Sequence, residues 1–564
     1  MNLNIADKQN LSSMEELCKK MNINYKFLKY VLFKKKNSYK TFFIPKKNGY
    51  REINVPCDEL KNIQKNIKEY LEKEYLKNTS FPNCVKGFLK NESIVTNAME
   101  HYRAKHILTI DLENFFPSIH FGRIRGLFLG KPFYFSNNVA TLLAKIACKD
   151  GKLPQGSPLS PILSNFICYR LDYNLNNLAK KYNCKYTRYA DDITISTTRL
   201  TMPIEIAYIN EKQEIELNEK LEKIILDNSF YINKNKTKLR YLNYRQEVTG
   251  LVVNEKVNVP KIFIKKLRSE LNYFKYKKYQ EYGKKYLKLE KIDEDKIKEI
   301  CRKHIIGKLN YLKMVRGKTD KVFLKYAKQF NEIFDVNQFD VSYLDKSEYV
   351  KERCYIIHDF EDSYNGTGFL TKEYGLITCT HNFLNQESVE GFYEKIKNED
   401  LNTNLYEKYG LKFLCHRKNE TQKQLLDLFI TKSNYIKDVC NCKIDMRKKK
   451  FDKVRNDYEP QIGEEVLAFG FGNYFNENNN SFKMISYKIV SKDKNDLREY
   501  YALDRPVVHG MSGGPVLNQN MEVIGILAVG SAYSYEEFNS QIYNDGSNGF
   551  FALKDIKDLL KPIK

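Results

Sequence analysis

Tyr189-Ala190-Asp191-Asp192 stands between two β-type runs, Lys185 to Arg188 and Ile193 to Thr197. That pattern predicts a tight hairpin with adjacent carboxylates at its tip. Far upstream, the apolar run Ile107 to Ile110 ends at Asp111, which places a third carboxylate at a strand end. Three acids suit a pair of magnesium ions, because Mg²⁺ prefers carboxylate and phosphate oxygens. Two such ions about 3.5–4 Å apart activate a hydroxyl nucleophile and stabilise the leaving oxygen of a displacement at phosphorus.

Between the two acid sites lies Leu153-Pro154-Gln155-Gly156-Ser157-Pro158-Leu159-Ser160-Pro161. With Asp111 before it and the Tyr-Ala-Asp-Asp hairpin after it, the chain resembles reverse transcriptases over roughly residues 20 to 330. The resemblance implies a right-hand polymerase of fingers, palm and thumb. Asp111, Asp191 and Asp192 would hold two Mg²⁺ ions, and Gln155 and Gly156 would line the nucleotide pocket. Phe116 matches the position whose ring crowds a ribose 2′-OH and so selects dNTPs. Lys47 and Arg51 sit where a fingers hairpin holds the triphosphate. Two further elements resemble retron enzymes: Asn97-Ala98-Met99-Glu100-His101 and Val248-Thr249-Gly250. By resemblance, Asn97, His101, Val248, Thr249 and Gly250 would contact a cognate structured non-coding RNA. The enzyme would start DNA synthesis from a 2′-OH of that RNA, making RNA-linked DNA in a setting of antiphage defence. The residues themselves support a basic platform, in which Lys261, Lys265, Lys266, Arg268, Lys275, Lys277 and Lys278 are interleaved with Tyr273, Phe274, Tyr276 and Tyr279. Cations of this kind track phosphates and rings stack on unpaired bases.

Gly510-Met511-Ser512-Gly513-Gly514-Pro515 precedes an apolar run, Val523 to Val529. A serine hydroxyl that attacks a carbonyl needs N–H donors aimed at the developing oxyanion, here those of Gly510 and Ser512, in a backbone shape that glycine adopts easily. With Gly375-Leu376-Ile377-Thr378-Cys379-Thr380-His381 and Gly366-Thr367-Gly368-Phe369 upstream, residues 354 to 560 resemble chymotrypsin-like proteases of the HtrA kind. The resemblance implies His381 as base, Ser512 as nucleophile and, ahead of Asp445 and Asp452, Asp438 as the orienting acid. No cofactor is implied for this part. Met511 stands where digestive relatives carry an aspartate that pairs with a freed N-terminus, so activation by propeptide cleavage is not expected.

At 564 residues the chain exceeds one hydrophobic core, and its 94 Lys and Arg against 70 Asp and Glu make nucleic acid the leading partner. The twelve cysteines are scattered without metal or redox spacing, which fits reduced thiols. Met1 to Asn10 lacks a signal-peptide pattern and no long apolar run follows, so a bacterial cytoplasmic protein without membrane contact is expected. The expected fold is multidomain α+β: a polymerase over 1–330, a connector over 331–350, and an all-β double barrel over 351–564. A homo-oligomer is compatible with the sequence, and the protease substrate is a protein of unknown identity. Two alternatives remain open at this stage: a C-terminal domain that is a non-catalytic binding module, or an orphan reverse transcriptase without a dedicated RNA.

Overall fold

The alternation of apolar and polar residues at 107–111 and 192–197 builds the two central strands of a palm sheet. In the computed structural model, the described residues are 13–35, 38–45, 49–76, 81–288, 293–358, 365–379, 382, 403–404, 413–416, 424–426, 429–434, 439–443, 449–472, 481–495, 498–505, 507–508, 510–529, 548–557 and 560. The chain divides into two compact units, Met1–Lys265 and Lys266–Lys564.

The first unit opens with helices α1 (Met14–Lys20) and α2 (Tyr25–Phe33), the hairpin β1 (Tyr39–Pro45) and β2 (Tyr50–Pro56), and α3 (Asp58–Tyr75). It continues with α4 (Ile94–Glu100), β3 (His106–Asp111), α5 (Phe115–Ser118), α6 (Phe121–Leu129), α7 (Asn137–Ala147) and α8 (Ser160–Lys181). Then come β4 (Lys185–Tyr189), β5 (Asp192–Thr197), the small hairpin β6 (Ala207–Ile209) and β7 (Ile215–Leu217), α9 (Glu219–Asp227), β8 (Lys238–Tyr241), β9 (Glu247–Val248) and β10 (Leu251–Val252). The palm sheet has the order β4-β5-β3-β8 and is antiparallel throughout. With a side-chain period of two, Leu108, Ile110, Ile193 and Ile195 point into the main core. Thr109, Asp111, Asp192 and Thr194 therefore share the opposite face.

Behind the hairpin, a fully buried ion pair fixes β4 to α8. Arg188 Nε and Nη2 donate to Asp172 Oδ1 and Oδ2, both at 2.7 Å. Nη2 also donates to Asn165 Oδ1 at 3.1 Å, and Nη1 to the Ala190 carbonyl at 3.1 Å, inside the Tyr-Ala-Asp-Asp turn. Tyr186 Oη donates to the same Asp172 carboxylate at 2.7 Å. Both charged side chains have 0% exposure, so the pair holds only because its hydrogen bonds are satisfied.

The second unit begins within α10 (Lys261–Lys275), and continues with α11 (Tyr279–Tyr282), α12 (Glu294–Arg316), α13 (Lys321–Phe334) and α14 (Tyr343–Lys351). Strands β11 (Cys354–His358), β12 (Asn365–Thr371), β13 (Gly375–Thr378), β14 (Thr403–Asn404), β15 (Phe413–His416), β16 (Gln424–Leu426), β17 (Phe429–Asn434) and β18 (Val439–Lys443) form one eight-stranded sheet. Strands β19 (Glu465–Gly472), β20 (Ser481–Asn495), β21 (Arg498–Leu503), β22 (Pro515–Leu517), β23 (Val523–Val529) and β24 (Asn548–Ala552) close into a barrel, followed by α15 (Leu553–Ile556). The α+β class with a β-rich C-terminal part is as expected. Helices α13 and α14 occupy most of residues 331–350, where a connector is expected, and they belong to the same compact unit as the strands. The physical reason is local: Lys318 pairs with Glu465 of β19, and Thr319 Oγ1 donates to the Met484 carbonyl of β20 at 3.0 Å. Among the described residues, no helix is long and apolar enough to cross a membrane.

Replacing Arg188 by Met strands the Asp172 charge in the core and is expected to cost about 3–5 kcal/mol. Arg188→Met combined with Asp172→Leu should recover most of that loss, both being read as midpoints of urea unfolding. Equal destabilisation in the single and double variants would refute the ion-pair account.

Candidate active sites

Register brings two of the three candidate carboxylates together. Asp111, the last residue of β3, lies directly opposite Asp192, the first of β5. Asp191 and Ala190 make the turn between β4 and β5, with Ala190 in the left-handed region at φ 58°. Leu112 N–H donates to the Asp191 carbonyl at 3.0 Å, which ties the end of β3 to that turn. Gly87 is needed beside it, because a Cβ there would lie 2.6 Å from the Ala190 nitrogen. Desolvation raises the Asp191 carboxyl above its ordinary range, and Asp111 adds to the rise while Lys236 and Arg51 oppose it. Desolvation, then Asp191 and Asp111, push Asp192 up to about 6, although its side chain keeps an edge open to solvent.

Lys236 was not singled out in the sequence, and its Nζ donates to both Asp111 oxygens at 2.9 Å. One lysine among many carries no local signal, and its partner is 125 residues away. Among the described residues no three His, Cys, Asp or Glu side chains are grouped as a finished metal site. The donor chemistry nonetheless fits hard divalent cations: three carboxylates, two of them with raised pKa because they crowd negative charge in a partly desolvated place. A cleft of about 370 Å³ adjoins them, lined among others by Thr109, Thr194, Lys238, Arg240 and Thr249.

The residues expected around a nucleotide lie in this first unit. Phe115 is buried and stacks on Phe230 at 5.5 Å, whereas its neighbour Phe116 is half-buried and stands 6.1 Å from the partly exposed Phe88. Of the two rings, only Phe116 is left to face a ligand. Gln155 accepts at its carbonyl from Asn54 N–H at 2.7 Å, which docks its loop on β2. Gly156 has φ 118°, and a Cβ there would meet the Asn54 carbonyl oxygen at 2.7 Å. Ser157 Oγ donates to the buried Gln64 at 2.8 Å and anchors the same loop from below. Arg51 is exposed on β2, opposite Ile44. Lys47 lies outside the described residues.

The two retron-like elements need a correction. Asn97 and His101 are 0% and 1% exposed, and Val248 is 0% exposed, so none of these side chains offers a surface to RNA. His101 Nδ1 meets Ser196 Oγ and Nε2 meets Thr187 Oγ1, each at 2.7 Å, and Thr187 Oγ1 donates to Asn97 Oδ1 at 2.7 Å. Burial, with Lys185 and Lys86 nearby, lowers the His101 pKa to about 3 and keeps the ring neutral. Thr249 Oγ1 donates to the Ile94 carbonyl at 3.3 Å, so the two elements brace each other. They act as a scaffold that covers the polar sheet face beside Asp111 and Asp192. Thr249 and Gly250, with φ 47° and 80°, turn β9 into β10 at the rim of the cleft and retain some exposure.

On α10, Lys265, Lys266 and Arg268 are exposed. The aromatics of the expected platform divide differently: Phe274 and Tyr279 are buried and stacked at 5.6 Å, and Tyr276 is exposed. A turn at Lys277, with φ 55°, separates α10 from α11 and the two rings meet in the core.

In the second unit, Met511 is fully buried in the barrel core, where the expected apolar replacement of an aspartate would sit. Gly510 and Gly513 adopt φ 88° and 81° on either side of Ser512, which is 4% exposed. The loop is clamped by Thr367, from the Gly366-Thr367-Gly368-Phe369 stretch, and by Asn382, whose role the sequence does not signal. Thr367 N–H and Asn382 Nδ2 donate to the Ser512 carbonyl at 2.8 and 3.0 Å, and Thr367 Oγ1 donates to the Gly510 carbonyl at 2.9 Å. Gly513 is required there, because a Cβ would come within 2.2 Å of the Thr367 carbonyl oxygen. The pairing of β13 with β18 is described as far as Thr378 opposite Cys440. His381, Asp438 and Asp445 lie outside the described residues, while Asp452 is engaged with Lys372 at 2.5 Å.

A raised pKa means that the folded chain binds a proton on Asp192 more tightly than the unfolded chain does. Ionisation of Asp192 therefore costs stability, increasingly as pH rises from about 4 to about 6. Asp192→Asn is expected to raise the Tm of the full chain in EDTA, by more at pH 8 than at pH 4. An equal change at both pH values, read by differential scanning fluorimetry, would contradict this electrostatic picture.

Residues 34–287 match the family described as reverse transcriptase (RNA-dependent DNA polymerase), and residues 366–526 match the trypsin-like peptidase domain. The Retron Ec86 reverse transcriptase of Escherichia coli is 32% identical over 273 residues, covering 47% of this chain and 78% of that protein. The Retron Mx162 reverse transcriptase of Myxococcus xanthus is 30% identical, covering 46% of this chain and 59% of its own length. Among solved structures, the Rv3671c protease from M. tuberculosis in its active form aligns with 40% of this chain and 88% of its own, at 12% identity and a TM-score of 0.27. By its sequence match to these enzymes, and with its paired carboxylates set in a palm sheet, the chain belongs to the retron reverse transcriptases and carries a trypsin-like peptidase domain C-terminal to the polymerase.

Proposed function

We propose that the chain copies a cognate structured RNA into RNA-linked DNA, and that its C-terminal domain is a serine endopeptidase acting as the effector of an antiphage system. The observation that carries the polymerase half is the register of Asp111 opposite Asp192, with Asp191 at the turn between β4 and β5. Asp111, Asp191 and Asp192 would hold two Mg²⁺ ions, which when bound supply activation of a hydroxyl and charge stabilisation at the leaving pyrophosphate. Phe116 crowds the ribose 2′ position, Gln155 and Gly156 line the pocket, and Arg51 with Lys47 holds the triphosphate. Lys265, Lys266 and Arg268, exposed on α10, hold RNA phosphates, and Thr249 and Gly250 border the strand that primes synthesis.

In the peptidase, Ser512 Oγ attacks the scissile carbonyl, His381 takes its proton and later gives one to the leaving amine, and Asp438 fixes the imidazole tautomer. The N–H groups of Gly510 and Ser512 receive the oxyanion. Support comes from the left-handed glycines at 510 and 513 and from the Thr367 and Asn382 clamp on the intervening loop. The dNTPs, the RNA and its DNA copy, and a protein substrate are the partners of this reading, and bacterial cytoplasm is its setting.

The test is to purify the chain expressed with its flanking genomic sequence, extract the bound nucleic acid, and label Ser512 with a fluorophosphonate probe. A discrete RNA-linked DNA is expected from wild type and none from Asp191→Ala/Asp192→Ala, with probe labelling lost in Ser512→Ala. RNA without attached DNA in wild type would overturn the retron half. Absence of labelling under every nucleic-acid condition tried would make the C-terminal domain a binding module.

A further inference from the structure

Between Leu17 and Arg51 the sequence has eleven Lys or Arg, eight Phe or Tyr, and no Asp or Glu. Helix α2 gives this composition a shape. Asn24 caps its start by accepting from Phe27 N–H at 3.0 Å, and Leu28 and Val31 bury one side of it at 1% and 0% exposure. The other side leaves Phe27, Tyr30 and Phe33 exposed by 43%, 51% and 62%. At about 100° per residue, Lys26 and Lys34 fall between these rings and Lys29 lies beside Phe33 at the edge of the same side, and all three are exposed. Lys145 of α7 adds a cation 5.2 Å from the centre of the Phe33 ring.

Three exposed rings on a nine-residue helix exceed the scattered apolar residues normal for a protein surface. The interleaved lysines decide what covers them. A second copy of this chain would bring the same cations to the same face, so repulsion opposes an isologous pairing here. A polyanion that also carries flat rings satisfies both components: phosphates meet the lysines and unpaired bases stack on the aromatics. We infer that the outer face of α2 is a docking surface for an unpaired RNA segment, made of residues other than the carboxylates and the cations of α10. This names a contact surface for the RNA of the proposed function and rests on that reading for the choice of ligand.

The test uses the full chain and a fluorescein-labelled, mixed-sequence single-stranded RNA of about 25 nucleotides, a length chosen to exceed one site of about 4–16 nucleotides. Fluorescence anisotropy is measured across a salt series, with photocrosslinking of a 4-thiouridine version of the same RNA. Phe27→Ala/Tyr30→Ala/Phe33→Ala should weaken binding at least about tenfold, since each stacked base contributes appreciably, without changing the salt slope. Lys26→Gln/Lys29→Gln/Lys34→Gln should flatten the slope of log K against log salt by about 2, from about 0.7 per phosphate contact. Crosslinks should map to residues 24–34, and unchanged melting temperatures should show that both surface variants fold. Failure of wild type to bind RNA at all would sink the polymerase reading. Wild-type binding that the aromatic variant leaves intact would overturn only this inference. Loss in that variant of binding to phosphatidylglycerol vesicles, or of self-association, with RNA binding unchanged, would also overturn it and assign the face to a membrane or to a second copy.

Discussion

The antiparallel ladder between β3 and β5 is the constraint on which the polymerase site depends. A slip of one residue would turn Asp111 or Asp192 into the core and bring an isoleucine to the polar face. Four isoleucines and leucines on the core side hold the register by burial, and the Arg188–Asp172 pair holds the turn from behind. The interaction is costly to build, because both ions give up water, and it is retained where it fixes the carbonyl of Ala190 within the turn. Like charge is thereby held in one place against its own repulsion, which is the condition that makes a site receptive to divalent cations.

The same logic, with neutral groups, holds the peptidase loop. The carbonyls on either side of Met511 accept from Thr367 and Asn382, and the Met511 carbonyl, in the same peptide unit as the Ser512 N–H, accepts from Gly514 N–H at 2.9 Å, so the backbone around Ser512 has little freedom to rotate. Met511 itself packs into the barrel core. Helices α12 to α14 belong to the same compact unit as the two β-sheets, joined by Thr319 and Lys318.

The hairpin, the strand ending at Asp111 and the glycine-bounded serine were legible because each is local: alternation, turn chemistry and a left-handed position are written within a few residues. The partners of those motifs were not. Arg188 finds Asp172 on another element 16 residues earlier, and Lys236 finds Asp111 across 125 residues. Asn97 and His101 are expected at RNA only through their resemblance to a retron element, and a short motif carries no sign of burial. Thr187 and Ser196, 86 to 95 residues away, engage both His101 ring nitrogens and Asn97 Oδ1 inside the protein. A change in composition marks where the β-rich part begins, but it carries no sign of contacts such as that of Thr319 with Met484.

The central claim is that Asp111 and the hairpin carboxylates form one nucleotidyl-transfer site. Its most direct test is extension of a DNA primer on an RNA template by the purified full chain with Mg²⁺ and labelled dNTPs, comparing wild type with Asp111→Asn. The account expects template-dependent DNA from wild type and none above background from the variant, with both binding the primer–template equally. Undiminished synthesis by Asp111→Asn would contradict it, because β3 would then contribute no catalytic ligand to the site.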